Sequence, residues 1–451
     1  MIPAMPTQSF AAVVLAAGQG KRMKSAVPKV LHPVARVPMI EHVLAALKPL
    51  APARTVVVIA PGMAERMPAA AGIVLAEQSE ARGTGDAVAT AKAALADFSG
   101  DALVLYGDTP LITRGTIETL LAARRSADLV VAGMRPADPS PYGRLVVGAD
   151  GSLDAIVEAR DCDAARRAIG FVNAGPMAMR AATLFELLGT LGRDNAQNEY
   201  YLTDIVAAAR LRGLAVRAVE VPAEDMAGVN DRAELAAIEA AMQRRLRARL
   251  MADGVTLLAP ETVFLAADTR IGQDSVIGPN VMFGPGVTVG RNVEILGFCH
   301  IEGAVVGEGA RIGPFARLRP GAELGKDVHI GNFVEVKNSR LEAGVKANHL
   351  AYIGDADIGA RTNIGAGAVT CNYDGVDKHR TAIGADAFVG TNASLVAPIR
   401  IADGAIVAAG SVITEDVPAD ALALGRARQV TKPGGAASWR KKHPKKKAAK
   451  R

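Results

Sequence analysis

The sequence predicts two domains of different fold class, an N-terminal Rossmann-like α/β domain with a mainly parallel sheet and a C-terminal parallel β-helix. Three observations support this prediction. The 451 residues are too many for one hydrophobic core. Residues 10–230 alternate apolar runs with amphipathic stretches, which is typical of α/β layers. Residues 255–425 carry a six-residue repeat, which is typical of a β-helix.

In the N-terminal region, short apolar runs rich in Val, Leu and Ile alternate with longer stretches of helical periodicity. The predicted strands span residues 10–16, 55–60, 102–106, 129–134 and 171–179. The predicted helices include residues 38–48, 86–97, 116–125 and 199–210. Strands that alternate with helices form mainly parallel sheets, so we expect ligands at the carboxyl ends of these strands.

The C-terminal region repeats a bulky aliphatic residue or Phe at every sixth position, with Thr370 as the polar exception. The repeat positions are Ile271, Ile277, Phe283 and Val289; Val306, Ile312, Leu318, Leu324, Ile330 and Val336; Ile358, Ile364 and Thr370; and Ile383, Val389, Leu395, Ile401, Val407 and Ile413. Glycine follows 12 of these 19 positions, whereas 46 glycines in 451 residues would place about two there by chance. An α-helical period of 3.6 would not keep glycine at this spacing. The pattern therefore predicts hexapeptide coils with an apolar residue inward and a small residue at each corner.

Two breaks in the phase of this repeat predict insertions that leave the coil as loops. Val336 and Ile358 are 22 residues apart, and Thr370 and Ile383 are 13 apart, and neither spacing is a multiple of six. The first predicted loop contains Asn348, His349 and Tyr352, and the second contains residues 374–379. Since loops carry function more often than regular coils do, both breaks are candidate sites.

Residues 231–253 predict a helix that joins the two domains. Asp231 and Glu234 have the spacing of a capping box, arginines concentrate late in the segment, and Gly254 follows as a stop signal. The predicted divisions are a first domain at 1–230, a helical linker at 231–253, a β-helix domain at 254–439 and a disordered basic tail at 440–451.

The net charge of +6 is concentrated in that tail. The tail carries eight Lys and Arg residues and no acid, so the rest of the chain has a net charge of −2. A solvated tail is the simpler interpretation, and contact with a nucleic acid or a membrane surface is the alternative. We expect no nucleic-acid partner, because no aromatic residue lies within the tail and only Trp439 precedes it.

Cysteine usage and hydropathy predict a cytoplasmic protein with no membrane partner. Cys162, Cys299 and Cys371 form neither a CxxC motif nor a disulfide framework, which favours a reducing compartment. The apolar run from Phe10 to Ala17 is too short to span a bilayer, and no charged region precedes it.

The segment LAAGQGKRM at residues 15–23 follows the first predicted strand and indicates a phosphate-binding turn. Gly18 and Gly20 allow backbone amides to approach a ligand, and Arg22 and Lys29 add positive charge. The segment is neither a Walker A motif nor GxGxxG, so a plain strand–turn remains the alternative.

Two further segments are expected near this turn. Asp108 follows the predicted strand 102–106, where a carboxylate suits Mg²⁺ together with phosphate oxygens and water. The alternative role for Asp108 is a helix cap. Residues 83–85, Gly-Thr-Gly, precede a predicted helix and are expected to offer backbone amides to a base or a phosphate.

Motifs along nearly the whole chain resemble one enzyme family. The N-terminal segments are LAAGQGKRM, PKVLH (28–32), QSEARGTG (78–85), YGD (106–108), YGR (142–144), FVNAG (171–175) and GVN (228–230). The C-terminal segments are GPFARLRPGAE (313–323), GNFVE (331–335), ANHL (347–350) and NIGAGAVTCNYDG (363–375). The first set resembles the sugar-phosphate nucleotidyltransferases. Both sets together resemble N-acetylglucosamine-1-phosphate uridyltransferases fused to a glucosamine-1-phosphate acetyltransferase.

For the N-terminal half, the resemblance implies a site for UTP, a sugar phosphate and Mg²⁺. The implied nucleotide contacts are Leu15, Ala16, Ala17, Gly18, Gln78, Gly83, Thr84, Tyr106 and Gly107. The implied catalytic cations are Arg22 and Lys29, and the implied Mg²⁺ ligands are Asp108 and Asn230. The implied sugar contacts are Gly143, Glu158 and Asn173. In-line attack of a sugar phosphate oxygen on the α-phosphorus needs mainly positioning and charge stabilisation.

For the C-terminal half, the resemblance implies acetyl transfer from acetyl-coenzyme A. An amine must lose a proton to attack a thioester, and His349 is the implied base. The implied sugar-phosphate contacts are Arg319, Lys337, Tyr352 and Asn363. The implied coenzyme contacts are Ala366, Asn372, Tyr373, Thr391, Ala409 and Arg426, with threonine at 391 where serine is expected. The resemblance also implies a left-handed coil and a homotrimer with the coenzyme between neighbouring subunits.

The predicted function is therefore two-step synthesis of UDP-N-acetylglucosamine, a precursor of bacterial cell-envelope polymers. Two alternatives remain open on the sequence. The first is a nucleotidyltransferase with a regulatory or oligomerising β-helix, against which His349 and Arg319 argue, because a structural coil needs no base. The second is a non-enzymatic scaffold, against which the intact phosphate-site residues argue.

Overall fold

The computed structural model describes residues 9–67, 72–195 and 197–444. The chain divides into two compact units, residues 1–246 and 247–451. The boundary lies within a long helix, so the linker predicted at 231–253 belongs partly to each unit. Within the described ranges, no helix is both long and apolar enough to cross a membrane.

The first unit contains a mixed β-sheet flanked by helices. Its strands are β1 Phe10–Leu15, β2 Pro33–Val34, β3 Val37–Pro38, β4 Arg54–Ile59, β5 Ile73–Glu77, β6 Asp101–Tyr106, β7 Leu129–Met134, β8 Arg144–Val147, β9 Leu153–Val157, β10 Val172–Arg180 and β11 Val216–Glu220. Its α-helices are α1 Met39–Leu47, α2 Thr84–Thr90, α3 Arg114–Ala123, α4 Ala164–Arg167, α5 Ala181–Leu188 and α6 Ile205–Leu211, and α7 Arg232–Ala252 contains the boundary.

The main sheet has the strand order β11-β7-β10-β6-β1-β4-β5. All neighbours are parallel except β10, which is antiparallel to β6 and β7 and also pairs with β8 of the β8–β9 hairpin. Strand β1, FAAVVL, is buried on both faces, as expected for the centre of a parallel sheet covered by helices. Leu15 and Tyr106 are paired at the carboxyl ends of β1 and β6, so the segments that follow both strands meet at one edge.

The five predicted strands correspond to β1, β4, β6, β7 and β10, whereas β5, β8, β9 and β11 were not predicted and two of the predicted helices are interrupted. The predicted helix 86–97 is the short helix α2 followed by a 3₁₀ turn at Ala93–Leu95, and the predicted helix 199–210 begins with a 3₁₀ turn at Leu202–Asp204 before α6. The cap of α7 is as expected, because Asp231 Oδ1 accepts hydrogen bonds from the amides of Ala233 and Glu234, both at 2.9 Å.

The second unit is a parallel β-helix whose short strands form three parallel sheets. Its strands are β12 Thr256–Leu257, β13 Arg270–Ile271, β14 Val276–Ile277, β15 Met282–Phe283, β16 Thr288–Val289, β17 Glu294–Ile295, β18 His300–Ile301, β19 Ala304–Val306, β20 Arg311–Ile312, β21 Arg317–Leu318, β22 Ala322–Leu324, β23 His329–Asn332, β24 Glu335–Lys337, β25 Ser339–Leu341, β26 Lys346–His349, β27 Tyr352–Gly354, β28 Ala356–Ile358, β29 Asn363–Ile364, β30 Val369–Cys371, β31 Thr381–Ile383, β32 Phe388–Val389, β33 Ser394–Val396, β34 Ile399–Ile401, β35 Ile406–Val407, β36 Val412–Ile413 and β37 Leu422–Ala423. A last helix, α8, spans Gly435–Lys442.

Inward side chains stack from coil to coil in this unit. Ile295 pairs with Ile312, and Ile312 pairs with Ile330, so the step per coil is 17 or 18 residues. All three side chains are at most 1% exposed. Every third hexapeptide therefore returns to the same sheet, which is why the six-residue period in the sequence identified the coil.

The first predicted loop was wrong. Val336, Leu341, Ala347, Ile353 and Ile358 are all buried in consecutive strands, so the chain stays within the coil between residues 336 and 358. The steps from 336 to 341 and from 353 to 358 are five residues instead of six. Removing one residue at a corner shifts the phase of the repeat without extruding a loop, so His349 lies at the end of β26 in a regular coil.

The second predicted loop is present. Ile358 pairs with Ile383, 25 positions later, whereas Ile295, Ile312 and Ile330 follow one another at 17 and 18 positions. The extra residues form a loop between β30 and β31, which the bridge between Tyr373 and Lys378 closes into a hairpin. Asp374 Oδ1 accepts hydrogen bonds from the amides of Val376 at 2.8 Å and Asp377 at 2.7 Å, so the hairpin has its own internal structure.

The basic tail differs from its prediction at its start. Helix α8 continues to Lys442, three residues into the segment predicted to be disordered from residue 440. Leading into the tail, Trp439 stacks on His443 with the ring centroids 4.7 Å apart. Residues 445–451, which carry the other five of the tail's eight Lys and Arg residues, lie outside the described residues.

The polar repeat position Thr370 generates a stability prediction. Thr370 Oγ1 accepts a hydrogen bond from the Gly354 amide at 2.8 Å and donates one to the Gly354 carbonyl at 2.9 Å. Thr370→Val would leave both buried backbone groups unpaired and is expected to lower the free energy of unfolding by about 1–3 kcal/mol. Urea denaturation of the second unit measures this change.

Thr381→Val is the matched control for that experiment. Thr381 is fully buried, but its Oγ1 has no hydrogen-bond partner in the described part of the chain. Replacing this hydroxyl with a methyl group should therefore leave stability unchanged or raise it. Equal losses in the two variants would contradict the role given to Thr370.

Candidate active sites

A cavity of about 530 Å³ opens at the carboxyl ends of β1 and β6 in the first unit. It contains most of the residues predicted to bind the nucleotide. These are Leu15, Ala16, Ala17, Gly18, Lys29, Gln78, Gly83, Thr84, Tyr106 and Asp108. The cavity forms here because β1 and β6 are parallel neighbours, which brings their carboxyl-terminal segments together.

The glycine-rich turn brings Lys29 close to the end of β1. Gly20 has a φ of +58°, and a Cβ on Gly20 would lie 2.7 Å from Lys29 Cβ. A side chain at position 20 would therefore be strained and would also displace Lys29. Arg22 lies in the 3₁₀ turn Lys21–Met23, where it is exposed and does not line the cavity.

Lys29, Asp108 and Asn230 meet at one point beside the cavity. Lys29 Nζ donates a hydrogen bond to Asp108 Oδ2 and lies 3.4 Å from Asn230 Oδ1. The Lys29 and Asp108 side chains are only 13% and 19% exposed. The amide of Val229 donates to the Asp108 carbonyl at 3.1 Å, which attaches the segment before Asn230 to the end of β6.

The Gln78 end of the cavity depends on packing of residues 83–84 against residues 200–202. Gln78 is buried, and its Nε2 donates to Asp86 Oδ2 at 2.8 Å. Gly83 has a φ of +114°, and a Cβ there would lie 2.6 Å from the Tyr200 carbonyl oxygen. Thr84 Oγ1 accepts a hydrogen bond from the Leu202 amide at 3.0 Å.

The predicted sugar contacts Gly143, Glu158 and Asn173 cluster near Tyr106. The Asn173 amide donates to the Gly143 carbonyl at 2.8 Å, and Glu158 Oε2 lies 3.5 Å from the position of a Cβ on Gly143. Thr203 Oγ1 donates to Glu158 Oε1 at 3.0 Å. These residues do not line the 530 Å³ cavity itself.

The Tyr106 hydroxyl is influenced electrostatically by both this cluster and the Lys29–Asp108 pair. Burial raises the pKa of the Tyr106 hydroxyl, and the carboxylates of Asp108 and Glu158 raise it further. Burial also raises the pKa of the Glu158 carboxyl, against the lowering effect of the Thr203 hydrogen bond. Tyr106 therefore stays a neutral phenol between the two carboxylates.

In the second unit, His349 is exposed and is oriented by the neighbouring coil. His349 pairs with Asn332 across strands β26 and β23, and its Nδ1 lies 2.9 Å from Asn332 Oδ1. Because the Asn oxygen only accepts hydrogen bonds, Nδ1 carries the proton and Nε2 is the free basic nitrogen.

Cationic side chains lie along the neighbouring sheet. Arg319 Nη1 donates to Glu335 Oε1 at 2.8 Å. Lys337 lies at the end of β24 beside Lys378 of the hairpin loop, and its side-chain hydrogen bond and its charge both lower the pKa of Lys378. Two ammonium groups held together in this way suit a phosphate dianion.

The predicted sugar contacts Tyr352 and Asn363 flank this region. Tyr352 begins β27 and pairs with Glu335 in the sheet that contains Lys337, and Arg319 directly follows strand β21 of the same sheet. Asn363 begins β29 in the adjacent sheet and pairs with Lys346, which begins the strand that ends at His349.

Three of the predicted coenzyme contacts form a column along successive coils. The Ala366 carbonyl accepts from the Asn392 amide, and the Thr391 carbonyl accepts from the Gly410 amide, both at 2.7 Å. The Ala409 carbonyl accepts from Arg426 Nη1 at 2.7 Å, so Arg426 extends this column by one coil. Asn372 and Tyr373 lie apart from it, on the hairpin loop, where Asn372 is buried and Tyr373 is exposed.

Comparison with known proteins assigns both halves of the chain. Residues 12–179 match the MobA-like NTP transferase domain. Residues 268–303 and 303–338 match the bacterial transferase hexapeptide, and residues 380–415 match the hexapeptide repeat of succinyl-transferase. The bifunctional protein GlmU of Rhodospirillum rubrum is 57% identical and covers 95% of this chain and 97% of its own length. The bifunctional protein GlmU of Maricaulis maris is 59% identical and covers 96% of both chains.

The chain belongs to the GlmU family of bifunctional proteins. Membership confirms the predicted fold, a Rossmann-like nucleotidyltransferase domain followed by a left-handed β-helix of hexapeptide repeats. It also confirms the predicted enzyme class, a bifunctional transferase with uridylyltransferase and acetyltransferase activities. A regulatory coil and a non-enzymatic scaffold, the two alternatives left by the sequence, do not fit a GlmU protein.

The structure adds residues that sequence reasoning on this GlmU protein missed. Lys21 and Glu199 line the cavity of the first unit, and Lys378 lies beside Lys337 in the second. Lys21 adjoins Arg22 in the motif, so adjacency was an available signal. Lys378 lies within the second predicted loop, residues 374–379, although it was not singled out there. No sequence signal pointed to Glu199, because it reaches the cavity through a loop whose course only the fold determines.

The packing of Gly83 generates a prediction for the uridylyltransferase activity of this GlmU protein. Gly83→Ala should push residues 199–202 away from the cavity, since the added Cβ meets backbone atoms that cannot rotate aside. We expect the KM for UTP to rise about 10- to 100-fold, as measured by pyrophosphate release.

Gly151→Ala is the matched control, because Gly151 also has a positive φ of +78° but no atom lies within 4 Å of its Cβ position. This control should leave the KM for UTP unchanged. Similar kinetics in the two variants would rule out the proposed importance of close packing at Gly83.

Proposed function

We propose that this enzyme acetylates glucosamine-1-phosphate with acetyl-coenzyme A and then joins the product to UTP, forming UDP-N-acetylglucosamine and pyrophosphate. The proposal rests on two separate sets of candidate catalytic side chains, one in each unit of this GlmU family member. Lys29, Asp108 and Asn230 meet at the cavity of about 530 Å³ in one unit, and an oriented histidine lies on the coil of the other.

In the uridylyl transfer, the proposed role of the first unit is to position two substrates and to stabilise charge. An oxygen of the sugar phosphate attacks the α-phosphorus of UTP in line, and the bond to pyrophosphate breaks. Lys29 and Arg22 offset the negative charge on the departing pyrophosphate. Gln78, Gly83 and Thr84 hold the uracil, while Gly143, Glu158 and Asn173 hold the sugar.

Asp108 and Asn230 are the proposed Mg²⁺ ligands, and their chemistry fits that ion. One provides a carboxylate oxygen and the other an amide oxygen, and both approach the single positive charge of Lys29 Nζ. No three His, Cys, Asp or Glu side chains of the described residues converge, so phosphate oxygens and water would complete the shell, as is usual for Mg²⁺. The bound ion supplies charge neutralisation at the phosphates.

In the acetyl transfer, His349 is the proposed general base. The amine of glucosamine-1-phosphate forms a bond to the thioester carbonyl carbon, and its proton passes to His349 Nε2. The carbon–sulfur bond then breaks, and coenzyme A leaves as the thiol after taking up a proton. Asn332 assists by keeping Nδ1 protonated, so that Nε2 remains free to accept.

The remaining residues of the second unit are proposed to bind the two substrates. Arg319 and Lys337 attract the phosphate dianion, while Tyr352 and Asn363 contact the amino sugar. Acetyl-coenzyme A lies along the column formed by Ala366, Thr391 and Ala409 and contacts Asn372, Tyr373 and Arg426. The hydroxyl of Thr391 preserves the hydrogen-bonding group of the expected serine.

We also propose a cytoplasmic homotrimer assembled through the β-helix. An exposed aromatic column supports this assembly: Phe298, Phe315 and Phe333 stack at one corner with ring centroids 5.1 and 5.2 Å apart. Leu350 continues the column and is 62% exposed. A contiguous apolar column of this kind marks a surface that another subunit covers. Light scattering of the purified chain measures the assembly directly.

His349→Ala should abolish acetyl transfer alone. Loss of a general base lowers kcat by about 10²–10⁴-fold, which the release of the coenzyme A thiol measures. Uridylyl transfer from added N-acetylglucosamine-1-phosphate should be unchanged. His300→Ala, at another exposed histidine of the coil, is the control and should keep both activities. Loss of both activities in folded His349→Ala would contradict the two-site assignment.

Asp108→Ala should have the converse effect. Removing the carboxylate should lower uridylyl transfer by about 10²–10³-fold, because charge stabilisation at the phosphates is lost, and should weaken the binding of Mn²⁺ measured by electron paramagnetic resonance. Acetyl transfer should be unchanged. The control is Asp97→Ala, which removes an exposed carboxylate that pairs with Arg54. Native Mn²⁺ binding in Asp108→Ala would disprove the ligand assignment.

A further inference from the structure

Asp355 is a buried carboxylate at the base of the hairpin loop formed by residues 372–380. It occupies the corner between β27 and β28 with a φ of +49°, and only 5% of the residue is exposed. Burying an ionised group is costly unless hydrogen bonds compensate it, so the environment of this side chain requires an explanation.

Two amide side chains hold the Asp355 carboxylate. Asn338 Nδ2 donates to Oδ1 at 2.5 Å, and Asn372 Nδ2 donates to Oδ2. Asn338 comes from the preceding coil, whereas Asn372 is the first residue of the hairpin loop. One N–H of the Asn372 amide is therefore committed to Asp355, which determines the orientation of the amide plane.

Asp355 also holds the other end of the loop. Its carbonyl oxygen accepts a hydrogen bond from the Thr381 amide at 3.1 Å, and its own amide donates to the Lys337 carbonyl at 3.1 Å. Because the hairpin has its own internal hydrogen bonds, attachment at residues 372 and 381 positions the loop as one body. That body carries Lys378.

Charges around Asp355 favour its ionised form. Burial acts to raise the pKa of the carboxyl, but the hydrogen bonds from Asn338 and Asn372 and the nearby charges of Lys337 and Lys378 outweigh burial and lower it. The carboxylate in turn offsets part of the repulsion between the two lysines.

We propose that Asp355 is a positioning residue for acetyl transfer, which orients the Asn372 amide toward acetyl-coenzyme A and holds the hairpin loop in place. This inference rests on the proposed function, because it takes Asn372 as a coenzyme contact. Within the described ranges, the Asn372 side chain has a hydrogen bond to Asp355 alone, which leaves its second N–H and its oxygen for the ligand. Asp355 itself touches neither substrate.

The proposal has a kinetic signature that a merely structural role would not give. Asp355→Asn removes the anion beside Lys337 and Lys378, so their attraction for a phosphate dianion is retained or strengthened. The KM for glucosamine-1-phosphate should therefore stay the same or fall, while kcat for acetyl transfer falls about 10- to 100-fold, as expected for a small misplacement of a positioned group. General loosening of the coil would raise that KM.

The test is a double-mutant cycle between Asp355→Asn and Asn372→Ala in the full-length enzyme, measured by thiol release. Because Asp355 acts through Asn372, the double variant should lose no more activity than Asn372→Ala alone. Additive losses, or a raised KM for glucosamine-1-phosphate, would overturn the proposal. If Asn372→Ala itself keeps full acetyl transfer, the coenzyme assignment fails instead, so the two failures are distinguishable.

Asp386→Asn is the matched control for the loss of charge. Asp386 also occupies a left-handed corner, with a φ of +54°, but its carboxylate pairs with Arg361 at the surface. It should keep native kcat and KM. Uridylyl transfer and the thermal transition of each variant are measured to monitor folding. If Asp355→Asn does not fold, Asp355→Ser is tested in its place. A folded variant at position 355 with native acetyl transfer would also overturn the proposal.

Discussion

The pairing of parallel strands is the constraint on which both units depend. Each inner strand must satisfy its backbone hydrogen bonds with a neighbour on either side, and its inward side chains are committed to packing. Functional side chains are therefore left to the strand ends and the corners. Asp108 follows the end of β6, and His349 ends β26. Asp355 occupies a corner, as do the residues of the proposed coenzyme column.

Both sites hold a lysine near a carboxylate in a partly desolvated place. Lys29 contacts Asp108 in the first unit, and Lys337 and Lys378 lie near Asp355 in the second. In each case the carboxylate offsets part of the positive charge beside the proposed phosphate site. Amide side chains, Asn230 in one site and Asn338 and Asn372 in the other, complete the arrangement without adding charge.

The two phase breaks of the repeat show what a sequence period can and cannot predict. A period of six correctly indicated the coil, because each hexapeptide must place one apolar residue inside. The same period suggested a loop around His349 where the chain only shortens two corners by one residue each. A step of five residues and a step of six residues between inward side chains both allow the strands to pair. Only the stacking of whole coils therefore distinguishes a shortened corner from an insertion.

By itself, the sequence determined the two fold classes and located the glycine-rich turn, because these depend on local spacing and composition. It also supplied candidate residues for phosphate chemistry and, through the family resemblance, for a general base. Only the tertiary structure decided which of them meet. The contact between Lys29 and Asn230 joins positions 201 residues apart, and the orientation of His349 by Asn332 joins neighbouring coils. The structure also revealed Asp355, whose importance comes from two amides and a loop that lie far from it along the chain. Such contacts depend on long-range packing, which leaves no periodic signal in the sequence.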